Sequence, residues 1–86
     1  MFQVTESSNG MPCLAFYEPS PDLESFLLET LRDNFYDSPA YQERMKVGAF
    51  LQCHDSGNYI LIEFWTGDIE ACNTYANWMA KAWEGK

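Results

Sequence analysis

Basic residues are scarce in this chain. Five Lys and Arg stand against thirteen Asp and Glu, a formal charge of −8 over 86 residues. A field of that sign repels phosphate backbones, so no direct nucleic-acid contact is expected, and positively charged protein surfaces become the natural attraction. Long apolar runs are missing as well. Nothing approaches the roughly 18 residues needed to span a bilayer, so no membrane partner is expected. The opening MFQVTESS lacks the basic and apolar regions of a secretory leader. Cysteine occurs three times, at Cys13, Cys53 and Cys72. Three cannot all pair within one chain, and scattered singly they read as reduced thiols of a cytoplasmic protein. Histidine occurs once, as His54, and no Cys/His cluster has zinc-finger spacing, so no metal is expected. Gly-rich phosphate loops, GxSxG and HExxH are also absent, so no cofactor and no catalytic residue are assigned.

What is present describes a folded globule: 47% of residues are apolar and 16% aromatic. The length allows a single domain, residues 1–86, with no room for a second core. Chains this short bury only about 60% of their unfolded surface, which makes oligomerisation a live route to stability.

Turn and cap signals divide the chain. Asn9-Gly10 between FQVTE and CLAFYE reads as a two-residue hairpin loop. Ser20-Pro21-Asp22 supplies a capping hydroxyl, a proline suited to the first helical position and an acid in the positive first turn. Leu23, Phe26, Leu27, Leu31 and Phe35 follow at helical spacing. Ser38-Pro39 starts a short helix through about Met45. KVGAFLQCH reads as a strand, DSGN as a tight turn and NYILIEFW as the partner strand. Thr66-Gly67-Asp68 then caps a last helix with the stripe Ile69, Cys72, Ala76, Met79 and Trp83.

The order β-β-α-(short α)-β-β-α contains a split βαβ unit with an additional first strand. It predicts an α+β fold: a two-layer, ferredoxin-like sandwich, circularly permuted so that the usual last strand comes first. The four-stranded antiparallel sheet would run in the order 1-2-4-3, with both long helices on one face.

Two-residue loops would fix which residues share a face. Around Asn9-Gly10 they pair Glu6 with Cys13, Val4 with Ala15 and Phe2 with Tyr17. Around Ser56-Gly57 they pair His54 with Tyr59, Gln52 with Leu61, Phe50 with Glu63 and Gly48 with Trp65. The alternate set, Cys53–Ile60, Leu51–Ile62 and Ala49–Phe64, is apolar and belongs under the helices with Leu14 and Phe16. An outer face is left over: Phe2, Val4, Cys13, Ala15, Tyr17, Phe50, Tyr59, Leu61 and Trp65, with His54 and Glu63 among them. Covering on the order of 500 Å² of such surface is worth roughly 12 kcal/mol before association costs. The expected occupant is a second copy, with a heteromeric contact as the alternative. A different register, or the short helix folding over the face, would instead cover it from within.

Within that face, His54 beside Cys53 reads as a strand-end polar residue, because adjacent strand residues point to opposite sides. Glu63, among apolar neighbours, is the carboxyl for which burial would be costly; it reads as a lone interface carboxylate. The aromatics invite comparison with single-strand stacking platforms, which need a basic rim this chain lacks. On the helical side, Asp22, Glu24, Glu29, Asp33 and Asp37 form an acidic surface. The function expected is therefore a small acidic cytoplasmic interaction module. It would homodimerise through the sheet and bind or inhibit a basic, nucleic-acid-binding protein partner. The alternative is a small-molecule-binding protein or enzyme with an aromatic-lined pocket between two sheets.

Overall fold

Four strands and three helices follow one another in a computed structural model that describes all residues from Met1 to Lys86. They are β1 (Thr5–Glu6), β2 (Pro12–Tyr17), α1 (Pro21–Arg32), α2 (Pro39–Val47), β3 (Ala49–Asp55), β4 (Tyr59–Phe64) and α3 (Ile69–Glu84). The sheet is antiparallel throughout, in the order β1-β2-β4-β3. No helix is long and apolar enough to cross a membrane.

The helix starts follow from local chemistry. Ser20 Oγ accepts from the Leu23 amide at 3.2 Å, with Pro21 at the first position. Asp68 does the same for α3, accepting from the Ala71 amide. Helix α1 ends at Arg32, so Phe35 falls outside the expected stripe and is exposed. Helix α2 runs two residues further than expected, to Val47, and closes on Gly48 in the left-handed region at φ 61°. Lys46 and Val47 are therefore helical, and β3 begins only at Ala49.

One core fills the space between the helices and one sheet face. Leu14, Phe16, Ala49, Ile60, Ile62 and Phe64 come from the sheet, Leu23, Phe26, Leu27 and Leu31 from α1, and Cys72, Tyr75, Ala76 and Met79 from α3. Both long helices thus lie against the same, inner face. Tyr75 packs edge-on to Phe64, with ring centroids 5.8 Å apart. It joins the stripe that Ile69, half exposed, does not. Burial pushes the Tyr75 hydroxyl pKa up, well above the ordinary tyrosine range.

Two loops differ from the expected two-residue turns, and each difference rotates a strand by one residue. Between β1 and β2, Ser7 anchors a wider loop. Its amide donates to Met11 O at 2.8 Å, and its hydroxyl accepts from the Asn9 and Met11 amides. Thr5 consequently pairs with Cys13, and Glu6 with Pro12. Phe2 and Val4, expected on the outer face, turn inward; Phe2 meets Phe16 edge-on at 5.5 Å. Between β3 and β4, Ser56, Gly57 and Asn58 form a three-residue loop, with Gly57 at φ 77° and the Asn58 amide on Asp55 O. The added residue moves the pairing to Asp55–Tyr59, His54–Ile60 and Cys53–Leu61. A bulge at Gln52 then removes the offset, restoring Leu51–Ile62, Phe50–Glu63 and Ala49–Phe64.

Candidate functional site: the outer sheet face

Alternation along β2 and β4 places Cys13, Ala15, Tyr17, Tyr59, Leu61, Glu63 and Trp65 on the outer face, joined by Phe50 and, after the bulge, Cys53. No helix lies over them. Tyr17 is 77% exposed and Trp65 80% exposed, while Ala15, Phe50, Tyr59 and Leu61 are half-buried. Of the nine residues assigned to this face from the sequence, the structure keeps Tyr17, Phe50, Tyr59, Leu61, Glu63 and Trp65 together. It removes Phe2, Val4 and His54.

Aromatic contacts set the ends of the face. Tyr17 and Tyr59 sit directly opposite, with ring centroids 5.0 Å apart. Burial chiefly, then the neighbouring Tyr17, holds the Tyr59 hydroxyl above the ordinary tyrosine range. At the other end Trp65 donates its amide to Gly48 O at 3.1 Å and lies against the glycine, whose absent side chain makes room for it.

The centre is chemically different. Glu63 is 1% exposed, and its Oε2 is buried without a hydrogen-bond partner. It pairs across the ladder with Cys13 on one side and Phe50 on the other. Cys13 is itself 2% exposed, with Sγ 3.4 Å from Thr5 Oγ1. Beside this pair opens a cavity of about 270 Å³, lined by Thr5, Cys13, Ala15, Tyr17, Tyr59 and Leu61 among others. Sequence pattern located Glu63 but placed it beside His54, not beside a bordered cavity. The presence of Thr5 there depends on the β1–β2 register.

His54 finds its partner on the other side of the sheet. Its Nε2 lies 3.0 Å from Glu24 Oε2, and the same oxygen accepts from the Gly57 amide at 3.0 Å. The turn after β3 is thereby tied to the start of α1. The Gly57 amide, then His54, hold the Glu24 carboxyl below its ordinary range. A depressed carboxylate stabilises the fold above its unfolded pKa and stops doing so as pH falls through the folded value. Acidification below the ordinary glutamate range, about 4.3, is thus expected to speed hydrogen exchange at the Gly57 amide. Glu24→Ala should exchange fast at neutral pH already, with little further acid dependence. Equal acid profiles for the two proteins would show that the tie does not hold the turn.

The acidic surface is partly engaged internally. Glu24 serves the turn, and Asp33 accepts from Ser38 Oγ at 2.6 Å and from the Phe35 amide, contacts that lower its pKa. Glu29 lies 3.7 Å from the Lys86 ammonium. Asp22 and Asp37 are exposed. No group of three or more His, Cys, Asp or Glu is placed to hold a metal ion. Cys13, Cys53 and Cys72 are free thiols, and burial raises the Cys72 pKa.

No protein-family model matches the chain, and no curated protein or solved structure matches it.

Proposed function

We propose that this protein is a small interaction module that works as a homodimer, packed outer face to outer face, with its acidic helical side turned toward a basic protein partner. The observation that carries the dimer is the uncovered aromatic sheet face around Tyr17 and Trp65. Each of these side chains leaves on the order of 150 Å² in solvent. With the half-buried Ala15, Phe50, Tyr59 and Leu61 the face offers on the order of 500 Å² per copy, near the upper end for patches on monomers. Two copies together would bury about 1,000 Å² or more, the size at which specific interfaces begin. Charge favours the same pairing. The acids that make up the −8 lie mainly on the helices and loops, so two copies can meet through a nearly neutral surface without stacking their charge.

The element order supports reading the sandwich as ferredoxin-like and circularly permuted, a fold in which one sheet side is left free for such contacts. A cytoplasmic setting agrees with three free thiols. The basic partner rests on the exposed Asp22, Glu29 and Asp37, now that Glu24 and Asp33 have internal tasks. Such attraction is screened over about 8–10 Å at ordinary ionic strength, so partner binding should weaken with moderate salt.

Sedimentation at low micromolar concentration tests the dimer. Wild type is expected at twice the chain mass, and Trp65→Glu as a folded monomer with unchanged circular dichroism. A charge placed at the centre of a desolvated contact should weaken association at least about a hundredfold, near 2.7 kcal/mol. A wild type that stays monomeric at every concentration would sink the proposal.

A second reading, a ligand site between the two sheets, is favoured by one observation: the buried, unpartnered Glu63 beside a cavity on the same face.

A further inference from the structure

A buried carboxyl is normally accompanied by hydrogen-bond donors, because removing it from water without them is among the costlier events in folding. Glu63 has no such company, although it is 99% withdrawn from solvent and its outer oxygen is closed off. Its ladder neighbours, Cys13 and Phe50, offer at most a weak thiol donor. A chain shaped only by stability would place a Leu here, as it does two residues earlier at Leu61.

The surroundings indicate what the carboxyl faces. Leu61, two residues along β4 on the same side and so roughly 6.6 Å away, lines the cavity of about 270 Å³. So does Cys13, directly across the ladder from Glu63. The remaining wall is two tyrosine rings 5.0 Å apart, Tyr17 and Tyr59, and the short edge formed by Thr5. The cavity is open on its outward side, where the second copy of the proposed dimer would close it. The site therefore has an apolar and aromatic body, a carboxyl at one end and no positive charge. Within a molecule of charge −8, the field also draws cations toward it.

Resting on the dimer proposed above, we infer that Glu63 anchors a small-ligand site that closes when two copies meet, and that its ligand is a small aromatic or aliphatic amine. The ammonium group hydrogen-bonds the Glu63 carboxylate, and the apolar part lies against Tyr17, Tyr59 and Leu61. Cation–ring attraction from the two tyrosines adds to the same selectivity. No bond is made or broken; the site binds and orients.

Phenethylamine, with phenethyl alcohol as its uncharged counterpart, is the probe, followed by tryptophan fluorescence and by titration calorimetry. Each sample is also sedimented, so that assembly and binding are read together. The expected result is a wild-type dimer that binds the amine at least about tenfold more tightly than the alcohol. Glu63→Gln should remain a dimer, keep its affinity for the alcohol and lose the preference for the amine. Glu63→Leu, which cannot fail through a lost polar contact, should behave likewise. A dimer that binds no amine, or binds it equally well in Glu63→Gln, overturns the site while leaving the dimer standing; it would mean that the second copy's own donors complete Glu63. A wild type that sediments as a monomer overturns dimer and site together.

Discussion

Glu63→Leu is expected to make the protein more stable, by about 2 kcal/mol, or roughly 8–16 °C in melting temperature for a domain of this size. The wild-type carboxyl is desolvated without a partner, and the desolvation cost of such a group, about 1–3 kcal/mol, is what the substitution removes. Leucine is of similar volume and joins Phe50 and Leu61 without opening a void. Melting must be followed at several concentrations, because association of the folded form raises the transition by mass action. A gain confined to high concentration would assign the effect to a tighter dimer; a gain at all concentrations assigns it to the chain itself. An unchanged or lower melting temperature would mean that Glu63 is held by donors in solution, and the case for a vacant anchor would fall. Stability and ligand selectivity should thus move in opposite directions at this position, as they commonly do at binding sites.

The second large effect is a loss. Gly48→Ala is expected to destabilise the fold by about 3 kcal/mol, seen as a lower urea midpoint with an unchanged slope. Two terms add. Gly48 sits at φ 61°, where a side chain costs about 1–2 kcal/mol. A Cβ there would also stand 2.6 Å from Trp65 Cβ, and relieving such overlap costs about 1–3 kcal/mol more. Relief means pushing Trp65 outward, so the variant should also dimerise less well. Gly67→Ala is the control: no heavy atom lies within 4 Å of its modelling position for a Cβ, and its φ is not in the left-handed range. It should change stability by less than about 0.5 kcal/mol. Equal midpoints for the two variants would refute the account of Gly48 as the joint between α2, β3 and Trp65.

Much of this arrangement was legible in the residues. Ser20-Pro21 and Asp68 mark helix starts by chemistry that acts within one turn, and both caps form as expected. Leu14, Phe16, Ile60, Ile62 and Phe64 identify the inner face because period-two alternation survives any pairing partner. The 1-2-4-3 strand order follows from short connections and the crossover through the helices. What failed was the placing of Phe2, Val4 and His54, and for one reason in two places. A one-residue difference in loop length reverses the side on which every following residue lies. Asn9-Gly10 carries a strong two-residue turn signal, yet Ser7 two positions earlier captures the Asn9 and Met11 amides and widens the loop. A serine opening a loop is a known competitor of that turn, so the signal was present but outweighed. The β3–β4 pairing came out right at Ala49, Phe50 and Leu51 because two displacements cancel there, which no local pattern reveals. Glu63 stood out in the sequence as the one carboxyl in an apolar run. Its isolation from every donor is a property of the folded sheet.

The bulge at Gln52 has a consequence for how β3 is shared. An uninterrupted strand offers one set of alternate residues to each side along its whole length. Shifting phase in the middle lets β3 divide its length between two tasks. Its first half gives Phe50 to the outer surface, and its second half gives His54 to Glu24 on α1. Deleting Gln52 would bring the halves back into step and force a choice: either His54 lets go of α1, or Phe50 leaves the aromatic surface. One edge strand thus couples the docking of a helix to the composition of the opposite surface, and a single inserted residue sets the coupling.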